Sequence, residues 1–207
     1  MLKNDIVPDR IFTISNVLSP EECAEYITLT ENIGYTPAGL TVGQDLYEMN
    51  PEVRNNDRVI LDDEERAEEL WGRVADCIPA AIDNRWTVIG LNERLRFYRY
   101  DPGQRFAPHG DGPHFRSNGE CSQLTFMIYL NDGFEGGETH FYLHHNYLEL
   151  FEPSVIPSLS VVPKMGMALC FIHELRHEGS RVISGRKYVL RSDVMYSLRR
   201  HSYILPC

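Results

Sequence analysis

The residues best able to do chemistry lie in the second half of the chain, where all eight histidines follow residue 108. Within Pro108-His109-Gly110-Asp111, an imidazole and a carboxylate are two positions apart. In an extended segment, residues i and i+2 point to the same side, so His109 and Asp111 can bind one metal ion. A His-x-Asp pair alone is a weak signal, because such pairs also occur in loops that bind no metal.

A site of this kind needs a third ligand, and the later histidines offer two. His177 lies 66 positions after Asp111, at the start of another extended segment, and His173 is the alternative. Two neutral imidazoles and one carboxylate on one face of an octahedral ion leave three positions open, which suits non-haem Fe(II) and oxygen chemistry. The remaining histidines are expected to be surface or hydrogen-bonded structural residues: His114, His140, His144, His145 and His201.

A lysine follows ten residues after His177, in Gly185-Arg186-Lys187-Tyr188. A cation inside a barrel is strongly destabilised unless an anion neutralises it. If Lys187 points inward it needs a carboxylate partner, which a metal-bound dicarboxylate would provide. An outward, solvated lysine is the alternative.

The elements that position these residues begin with two predicted helices in the first 85 residues. Ser19-Pro20-Glu21-Glu22 combines an N-cap, a proline at the first helical position and a glutamate three residues after the cap, so a helix is expected from here to Gly34. A second helix is expected from about Asp62, with Glu65 completing a similar capping box. Its apolar stripe would consist of Leu70, Trp71, Val74 and Ile78.

From about residue 93 the pattern changes to short strands separated by turns rich in Gly, Pro and Asp. The predicted strands are Leu95–Tyr100, Leu124–Leu130, Glu138–Tyr142, Leu159–Val162, Met167–Ile172 and Lys187–Tyr196. Such a series, with helices packed outside it, indicates a mainly β fold with some α, of the jelly-roll type. Residues 143–158 form a long connection, which is either a lid over the site or an irregular surface loop.

Composition narrows the class of protein. A chain of 207 residues that is 43% hydrophobic is long enough for one good-sized core and short for two domains. Its 30 acidic and 20 basic residues, with a formal charge of −10, argue against nucleic acid as a general partner. No apolar run approaches the roughly 20 residues of a membrane helix. Five cysteines without a CxxC pair, and no signal-peptide core, predict reduced thiols in a cytoplasmic protein.

Several segments carry a family pattern. They are Arg99-Tyr100-Asp101-Pro102-Gly103-Gln104, His109-Gly110-Asp111, residues 125–132, Gly136-Gly137-Glu138-Thr139, residues 163–171, residues 177–182 and Gly185-Arg186-Lys187. In this order and at these spacings, from residue 95 to about residue 197, the chain resembles the 2-oxoglutarate and Fe(II)-dependent dioxygenases, in their prolyl-4-hydroxylase-like branch. The resemblance implies one domain over residues 1–207, with a catalytic double-stranded β-helix (jelly-roll) core at 93–200 and a supporting region of helices and strands at 1–92.

The resemblance also implies roles for individual residues. His109, Asp111 and His177 match the iron ligands, which are also the catalytic residues, whereas His173 falls outside the motif. Lys187 matches the residue that holds the distal carboxylate of 2-oxoglutarate.

Three further positions match the cosubstrate pocket of the family. Tyr100 corresponds to a tyrosine that hydrogen-bonds 2-oxoglutarate, and Tyr129 and Thr139 correspond to pocket-lining positions; a simple core role is the alternative for Tyr129. The implied activity uses Fe(II), 2-oxoglutarate and O2 to hydroxylate a C–H bond, with succinate as the second product. Ascorbate is a further candidate cofactor in this family.

Three positions depart from the family near the substrate. Phe106 stands where collagen-type and plant prolyl hydroxylases usually have a tyrosine, Ser122 replaces an arginine and Asp193 replaces a tryptophan. We therefore expect an active oxygenase with a substrate other than collagen-like peptides. Arg58 and Phe106 are candidate substrate residues, although a polar turn is the alternative for the segment of Arg58.

Two classes of function remain open from the sequence. The first is a hydroxylase that acts on a peptidyl residue such as proline, on a free amino acid or on a similar small molecule. The second is a non-catalytic jelly-roll module that binds a ligand or partner, and fold alone does not separate the two. The combination of three ligands with Lys187 favours the enzyme.

Overall fold

The computed structural model describes residues 1–43, 46–143 and 156–199. Its helices are α1 (Pro20–Ile33) and α2 (Glu64–Val74), the second followed by a 3-10 turn (Ala75–Cys77). Its strands, in chain order, are β1 (Leu2–Val7), β2 (Ile11–Ser15), β3 (Thr36–Pro37), β4 (Leu40–Gly43), β5 (Leu46–Glu48), β6 (Asp57–Asp62), β7 (Ala81–Ile82), β8 (Trp86–Leu91), β9 (Arg94–Tyr100), β10 (Phe106–His109), β11 (Cys121–Tyr129), β12 (Glu135–Gly136), β13 (Thr139–Phe141), β14 (Leu159–Val161), β15 (Ala168–Ile172), β16 (His177–Gly179), β17 (Val182–Ser184) and β18 (Lys187–Leu198).

The first helix begins as its sequence predicts. The Ser19 hydroxyl accepts a hydrogen bond from the Glu22 N–H, and the Glu22 carboxylate accepts one from the Ser19 N–H. This reciprocal capping box satisfies two backbone donors that the helix itself leaves unpaired. Gly34 follows the last helical residue with a φ of 95°, a conformation that glycine adopts without steric cost.

The second helix differs from the prediction at both ends. Asp62 is the last residue of β6, so Asp63 is the N-cap and accepts a hydrogen bond from the Arg66 N–H. Ile78 lies beyond the helix in extended conformation, because the proline at position 79 disfavours helical geometry in the residue before it. The stripe therefore consists of Leu70, Trp71 and Val74, with Ile78 packed nearby in the same core.

A large antiparallel sheet has the strand order β1-β2-β15-β11-β18-β9-β6-β3, and β8 pairs with β18 while β7 pairs with β8. Strands from residues 1–92 thus form both edges of the sheet that contains the predicted strands β9, β11, β15 and β18. The sequence predicted helices and strands in this supporting region but located only the helices. Its strands were not located because edge strands carry polar residues such as Lys3, Asn4 and Asp5 in β1, which hide the apolar alternation.

A smaller sheet, in the order β10-β16-β13-β14, faces the large one. One apolar cluster joins the two sheets, since it contains Tyr98, Tyr129 and Val189 from the large sheet and Phe141 and Val161 from the small one. A second cluster lies between the large sheet and the helices. The two sheets and their outer helices form the predicted jelly roll, and the site lies between the sheets.

Each strand predicted after residue 93 overlaps a strand of the structure. The connection at 143–158 falls mostly outside the described residues, as do His144, His145 and His201. Among the described residues, no helix is long and apolar enough to cross a bilayer.

Candidate metal centre

Three side chains that the sequence spreads over 68 positions meet between the two sheets. His109 ends β10 and His177 begins β16, and these two residues are direct cross-strand partners. Asp111 follows two residues after His109, where its N–H donates a hydrogen bond of 2.9 Å to the His173 carbonyl. One ligand atom from each of His109, Asp111 and His177 lies within 4.8 Å of the other two.

Both histidine rings are bonded in the same way. The Nδ1 atom of His109 lies 2.8 Å from the Ala107 carbonyl oxygen, and Nδ1 of His177 lies 2.8 Å from the Leu175 carbonyl oxygen. Because a carbonyl can only accept, each Nδ1 carries the proton. Burial lowers the pKa of both rings, so each is neutral with a lone pair on Nε2. Two neutral Nε2 donors and one carboxylate form a set that fits a divalent metal ion.

The carboxylate of Asp111 is held on both oxygens. The Thr125 hydroxyl donates to Oδ2 at 2.6 Å, and Nη1 of Arg191 lies 2.9 Å from Oδ1. Burial alone would raise the pKa of this carboxyl, but the charge of Arg191 and the hydrogen bond from Thr125 hold it well below its usual range. Asp111 is therefore an anion with a fixed orientation before any metal binds.

His173, the alternative third ligand, has both ring nitrogens engaged elsewhere. Nδ1 lies 2.9 Å from the Thr125 hydroxyl and Nε2 lies 2.8 Å from the Ser122 hydroxyl. Thr125 has one hydroxyl proton and gives it to Asp111, so His173 Nδ1 must donate to Thr125. The ring thus supports the carboxylate through Thr125, and it is not in the group of three metal-ligating side chains.

A second layer of charge lies behind Asp111. Nη2 of Arg191 lies 3.4 Å from Oδ1 of Asp193, and Nη1 of Arg96 lies 2.9 Å from Oδ2 of the same carboxylate. Asp193 is 2% exposed. The position where the family has a tryptophan therefore contains an anion that balances two arginines.

Lys187 points into the protein and is 2% exposed. Its ammonium donates to the Gly137 carbonyl at 2.6 Å and lies 5.2 Å from the ring centre of Tyr100 and 5.5 Å from that of Tyr129. The Tyr129 hydroxyl is 2.7 Å from the Thr139 hydroxyl. Burial lowers the pKa of Lys187 to about 7, an effect that the charge of Glu138 only partly offsets. The site therefore contains a poorly compensated buried amine, which suits a carboxylate ligand.

One cleft joins the three candidate ligands, Phe106 and three of the four predicted cosubstrate residues, Tyr100, Thr139 and Lys187. Its walls also include residues that were not predicted. The lining residues are Tyr98, Tyr100, Phe106, His109, Asp111, Thr125, Met127, Thr139, Phe171, His177, Gly179, Lys187, Val189 and Arg191, with Tyr129 packed behind Lys187.

Of the two candidate substrate residues, only Phe106 lies at the cleft. Its ring stacks on that of His109 with centroids 3.5 Å apart. The guanidinium of Arg54 lies 4.4 Å from the centre of the same Phe106 ring. Arg58 lies in β6 opposite Tyr98 of β9 and is not among the lining residues. Within that segment it is Arg54, 5% exposed, that approaches the cleft wall.

The polar lining residues that the sequence did not predict are Arg191, Thr125 and Tyr98. A signal for Arg191 was present, because residues 187, 189 and 191 share one face of a strand. Its partner Asp111 lies 80 positions earlier, so the ion pair itself had no local signal.

Comparison with known proteins agrees with this geometry. The model of the 2OG-Fe(II) oxygenase superfamily matches residues 95–192. That range contains the three candidate ligands, Lys187 and Arg191.

Curated relatives extend the match along the chain. The chain is 27% identical over 198 residues to "Prolyl 4-hydroxylase 1" of Arabidopsis thaliana, covering 86% of this chain and 66% of the relative. It is 30% identical over 206 residues to "Probable prolyl 4-hydroxylase 3" of the same plant, covering 86% of this chain and 67% of the relative. The chain thus spans about two thirds of the length of these relatives.

A solved structure shows the same fold at lower identity. It is a prolyl hydroxylase from Trichoplax adhaerens, in complex with a hypoxia inducible factor oxygen degradation domain peptide fragment. The identity is 16%, with 92% of this chain and 86% of that chain covered and a TM-score of 0.65. On the family match and the curated relatives, this chain belongs to the 2OG-Fe(II) oxygenase superfamily, in its prolyl-hydroxylase-like branch.

Proposed function

We propose that this protein is an Fe(II)- and 2-oxoglutarate-dependent dioxygenase that hydroxylates an unactivated C–H bond. The observation that carries the proposal is the group of His109, Asp111 and His177, whose ligand atoms lie within 4.8 Å of one another. The buried ammonium of Lys187 lines the same cleft. A dicarboxylate that chelates a metal with one end needs protein ligands for the metal and a buried cation for its other carboxylate.

The residues have distinct roles in this proposal. His109, Asp111 and His177 bind Fe(II), and Lys187 pairs with the distal carboxylate of 2-oxoglutarate. Tyr100, which is paired with Lys187 across β9 and β18, donates a hydrogen bond to the cosubstrate.

The walls of the cleft orient the ligands and limit water. When bound, Fe(II) and 2-oxoglutarate supply the oxidising chemistry, in which O2 and 2-oxoglutarate yield succinate and carbon dioxide and a substrate C–H becomes C–OH. Phe171 packs against His177 with centroids 4.5 Å apart, and Val189 lines the cleft between Lys187 and Arg191. These apolar groups exclude bulk water, which strengthens every charge interaction inside. Tyr129 and Thr139, bonded to each other, close the cosubstrate end.

The substrate in this proposal is either a peptidyl residue such as proline, or a free amino acid or similar small molecule. A peptide substrate is supported by the likeness to a prolyl hydroxylase that was solved with a peptide bound. Ascorbate is included as a candidate reductant for the iron. Four described cysteines, Cys23, Cys77, Cys121 and Cys170, are free, which supports a reducing compartment such as the cytoplasm.

The test is spectroscopic and then catalytic. Protein loaded anaerobically with Fe(II) and 2-oxoglutarate is expected to show a visible metal-to-ligand charge-transfer band. Admission of O2 should then release succinate. A folded, iron-loaded protein with neither band nor succinate would be a non-catalytic jelly-roll module, which is the alternative function.

Two matched variants test the ligand assignment. His177→Ala should abolish the band, because it removes a metal-binding Nε2. His173→Ala should retain it, because that ring acts through Thr125. The reverse pattern would make His173 the third ligand.

A further inference from the structure

The inner face of β18 presents two cations to one cleft. Every second residue of a strand lies on the same face, and Lys187, Val189 and Arg191 all line the cleft. Four residues of strand separate the Cα atoms of Lys187 and Arg191 by about 13 Å. In the proposed function the cosubstrate accounts for Lys187, whereas Arg191 orients Asp111 and has no role yet toward the substrate.

Arg191 belongs to a buried network whose formal charges cancel. Its guanidinium contacts Asp111 at 2.9 Å and Asp193 at 3.4 Å, and Arg96 contacts Asp193 at 2.9 Å. Two arginines and two carboxylates leave no net charge. The Nε atom of Arg191 is buried and has no hydrogen-bond partner among the described residues. Arg191 also lines the cleft, so its guanidinium is close to any ligand bound there.

A third arginine, Arg54, adds a positive charge that is not paired with a carboxylate among the described residues. Arg54 is 5% exposed, and its guanidinium lies over the rings of Phe106 and Tyr98, at 4.4 Å and 4.7 Å from their centres. Its Nε donates to the neutral amide of Asn56, and its Nη2 has no hydrogen-bond partner in the part of the chain that the structure describes. A buried cation held by aromatic rings and an amide favours an anion nearby.

The buried guanidinium groups beside the cleft suit an anionic substrate better than an internal peptide residue. An internal peptide residue offers neutral amide groups, which do not compensate a buried guanidinium as a carboxylate does. Ser122 and Asp193 are also buried, at 0% and 2% exposure. Both are committed to the network around Asp111, Ser122 through His173 and Asp193 through Arg191.

We propose that Arg191, assisted by Tyr98 and by the charge of Arg54, selects a substrate that carries a free carboxylate. We name the surface formed by Arg191, Tyr98 and Arg54 the cationic wall. Its ligand class is a small organic acid such as a free amino acid, and Arg191 is the specificity-determining residue that contacts the carboxylate. The inference rests on the proposed function and deepens it, because it chooses between the free and the peptidyl substrate.

The first experiment uses the unaltered protein. Anaerobic protein with Fe(II) and 2-oxoglutarate is titrated with proteinogenic amino acids, with their carboxamides, and with N-acetylated, C-amidated prolyl peptides. Perturbation of the charge-transfer band reports binding without turnover. At least one free acid should bind, and its carboxamide should bind about 10- to 100-fold more weakly, because a charged hydrogen-bonded pair is lost.

The second experiment uses a matched pair of variants. Arg191→Gln should reduce the acid-to-carboxamide preference toward one, whereas Arg94→Gln, which changes the same residue type at an exposed pair with Asp62, should leave the preference unchanged. Arg54→Met lowers the preference without removing a contact to Asp111, and so tests the wall if Arg191→Gln fails to bind iron.

The outcomes separate the two proposals. Absence of the band in the unaltered protein contradicts the proposed function. A normal band and succinate release, combined with equal binding of acids and carboxamides, overturns the cationic wall alone. Binding of the blocked prolyl peptides, or of none of the acids, has the same consequence.

Discussion

At the scale of single residues, the bonding of the two histidine rings prepares the site for a metal. Each Nδ1 donates to the carbonyl oxygen two residues earlier in the chain, at Ala107 and at Leu175. This local contact fixes the tautomer and directs Nε2 toward Asp111. The sequence predicted the ligand types, because His-x-Asp is a local pattern. Spacing alone left His173 and His177 as rivals, since both follow Asp111 by a similar distance, and the resemblance to the family favoured His177.

Thr125 is expected to control metal affinity through its hydroxyl. Thr125→Val removes the donor to Asp111 and leaves the His173 Nδ1–H without its acceptor. Loss of such a supporting hydrogen bond should weaken metal binding about 10- to 100-fold. Calorimetric titration with Mn(II) measures the change, with Thr125→Ser as the control that keeps the hydroxyl. Equal affinity in the valine and serine variants would contradict this role.

Lys187 should make cosubstrate binding depend on pH. Burial lowers its pKa to about 7, so above that pH the ligand-free protein holds a neutral amine. Pairing with a carboxylate requires the ammonium, so binding above this pH takes up a proton. The apparent affinity for 2-oxoglutarate should be flat below about pH 7 and fall up to about tenfold per pH unit above it.

Titration of the charge-transfer band across this range measures the affinity. Lys187→Met should bind 2-oxoglutarate about 10- to 100-fold more weakly and lose this pH dependence. Lys164→Met, which removes an exposed lysine, is the matched control. An affinity that stays constant above pH 7 in the unaltered protein would show that Lys187 does not pair with the ligand.

At the scale of elements, β18 organises the site. It runs for twelve residues and pairs with β11, β9 and β8, so it is the central strand of the large sheet. Its inward positions include Lys187, Arg191 and Asp193. The strand and its alternation follow from the sequence, whereas the depth at which each side chain meets the cleft follows from register with β11, where Thr125 opposes Asp193.

The end of β12 should tolerate no side chain at Gly136. Its φ is 75°, and a Cβ there would overlap the carbonyl oxygen of Arg181. Gly136→Ala is expected to lower the free energy of unfolding by about 2–3 kcal/mol. Gly72→Ala, inside α2 with no atom near the added Cβ, should raise it by about 0.5–1 kcal/mol. Urea unfolding measures both, and the prediction for Gly136 is wrong if its variant is as stable as that of Gly72.

At the scale of the whole molecule, the large sheet has apolar side chains on both faces. One face packs on the helices through Phe97, Phe126 and Leu190, and the other meets the small sheet through Tyr98 and Val189. The first 92 residues contribute strands to both edges of this sheet, so they stabilise the sheet that holds the site. We therefore propose that residues 1–92 fold together with residues 93–200 as one domain.

Metal and cosubstrate should stabilise the fold as a unit. A ligand that binds only the native state, at about 100 times its Kd, adds about 2.7 kcal/mol to the free energy of unfolding. For a domain of this size the Tm should rise by about 5–10 °C with Mn(II) and 2-oxoglutarate, measured by thermal unfolding. Asp111→Asn, compared with its own ligand-free Tm, should show no such rise. A rise that persists in this variant would indicate binding elsewhere.

By itself, the sequence determined the strands after residue 93, the capped first helix and the candidate ligands, since these follow from local period, turn chemistry and residue type. The family pattern in the sequence already favoured His177 over His173 and an inward Lys187, and the structure places His177 beside His109 and Asp111 and buries Lys187. Only the tertiary structure decided that Arg191 contacts Asp111 across 80 positions. The physical reason is register: a shift of one residue would turn every inward side chain of a strand to the opposite face. That register is set by hydrogen bonds and packing between distant strands, which no local pattern contains.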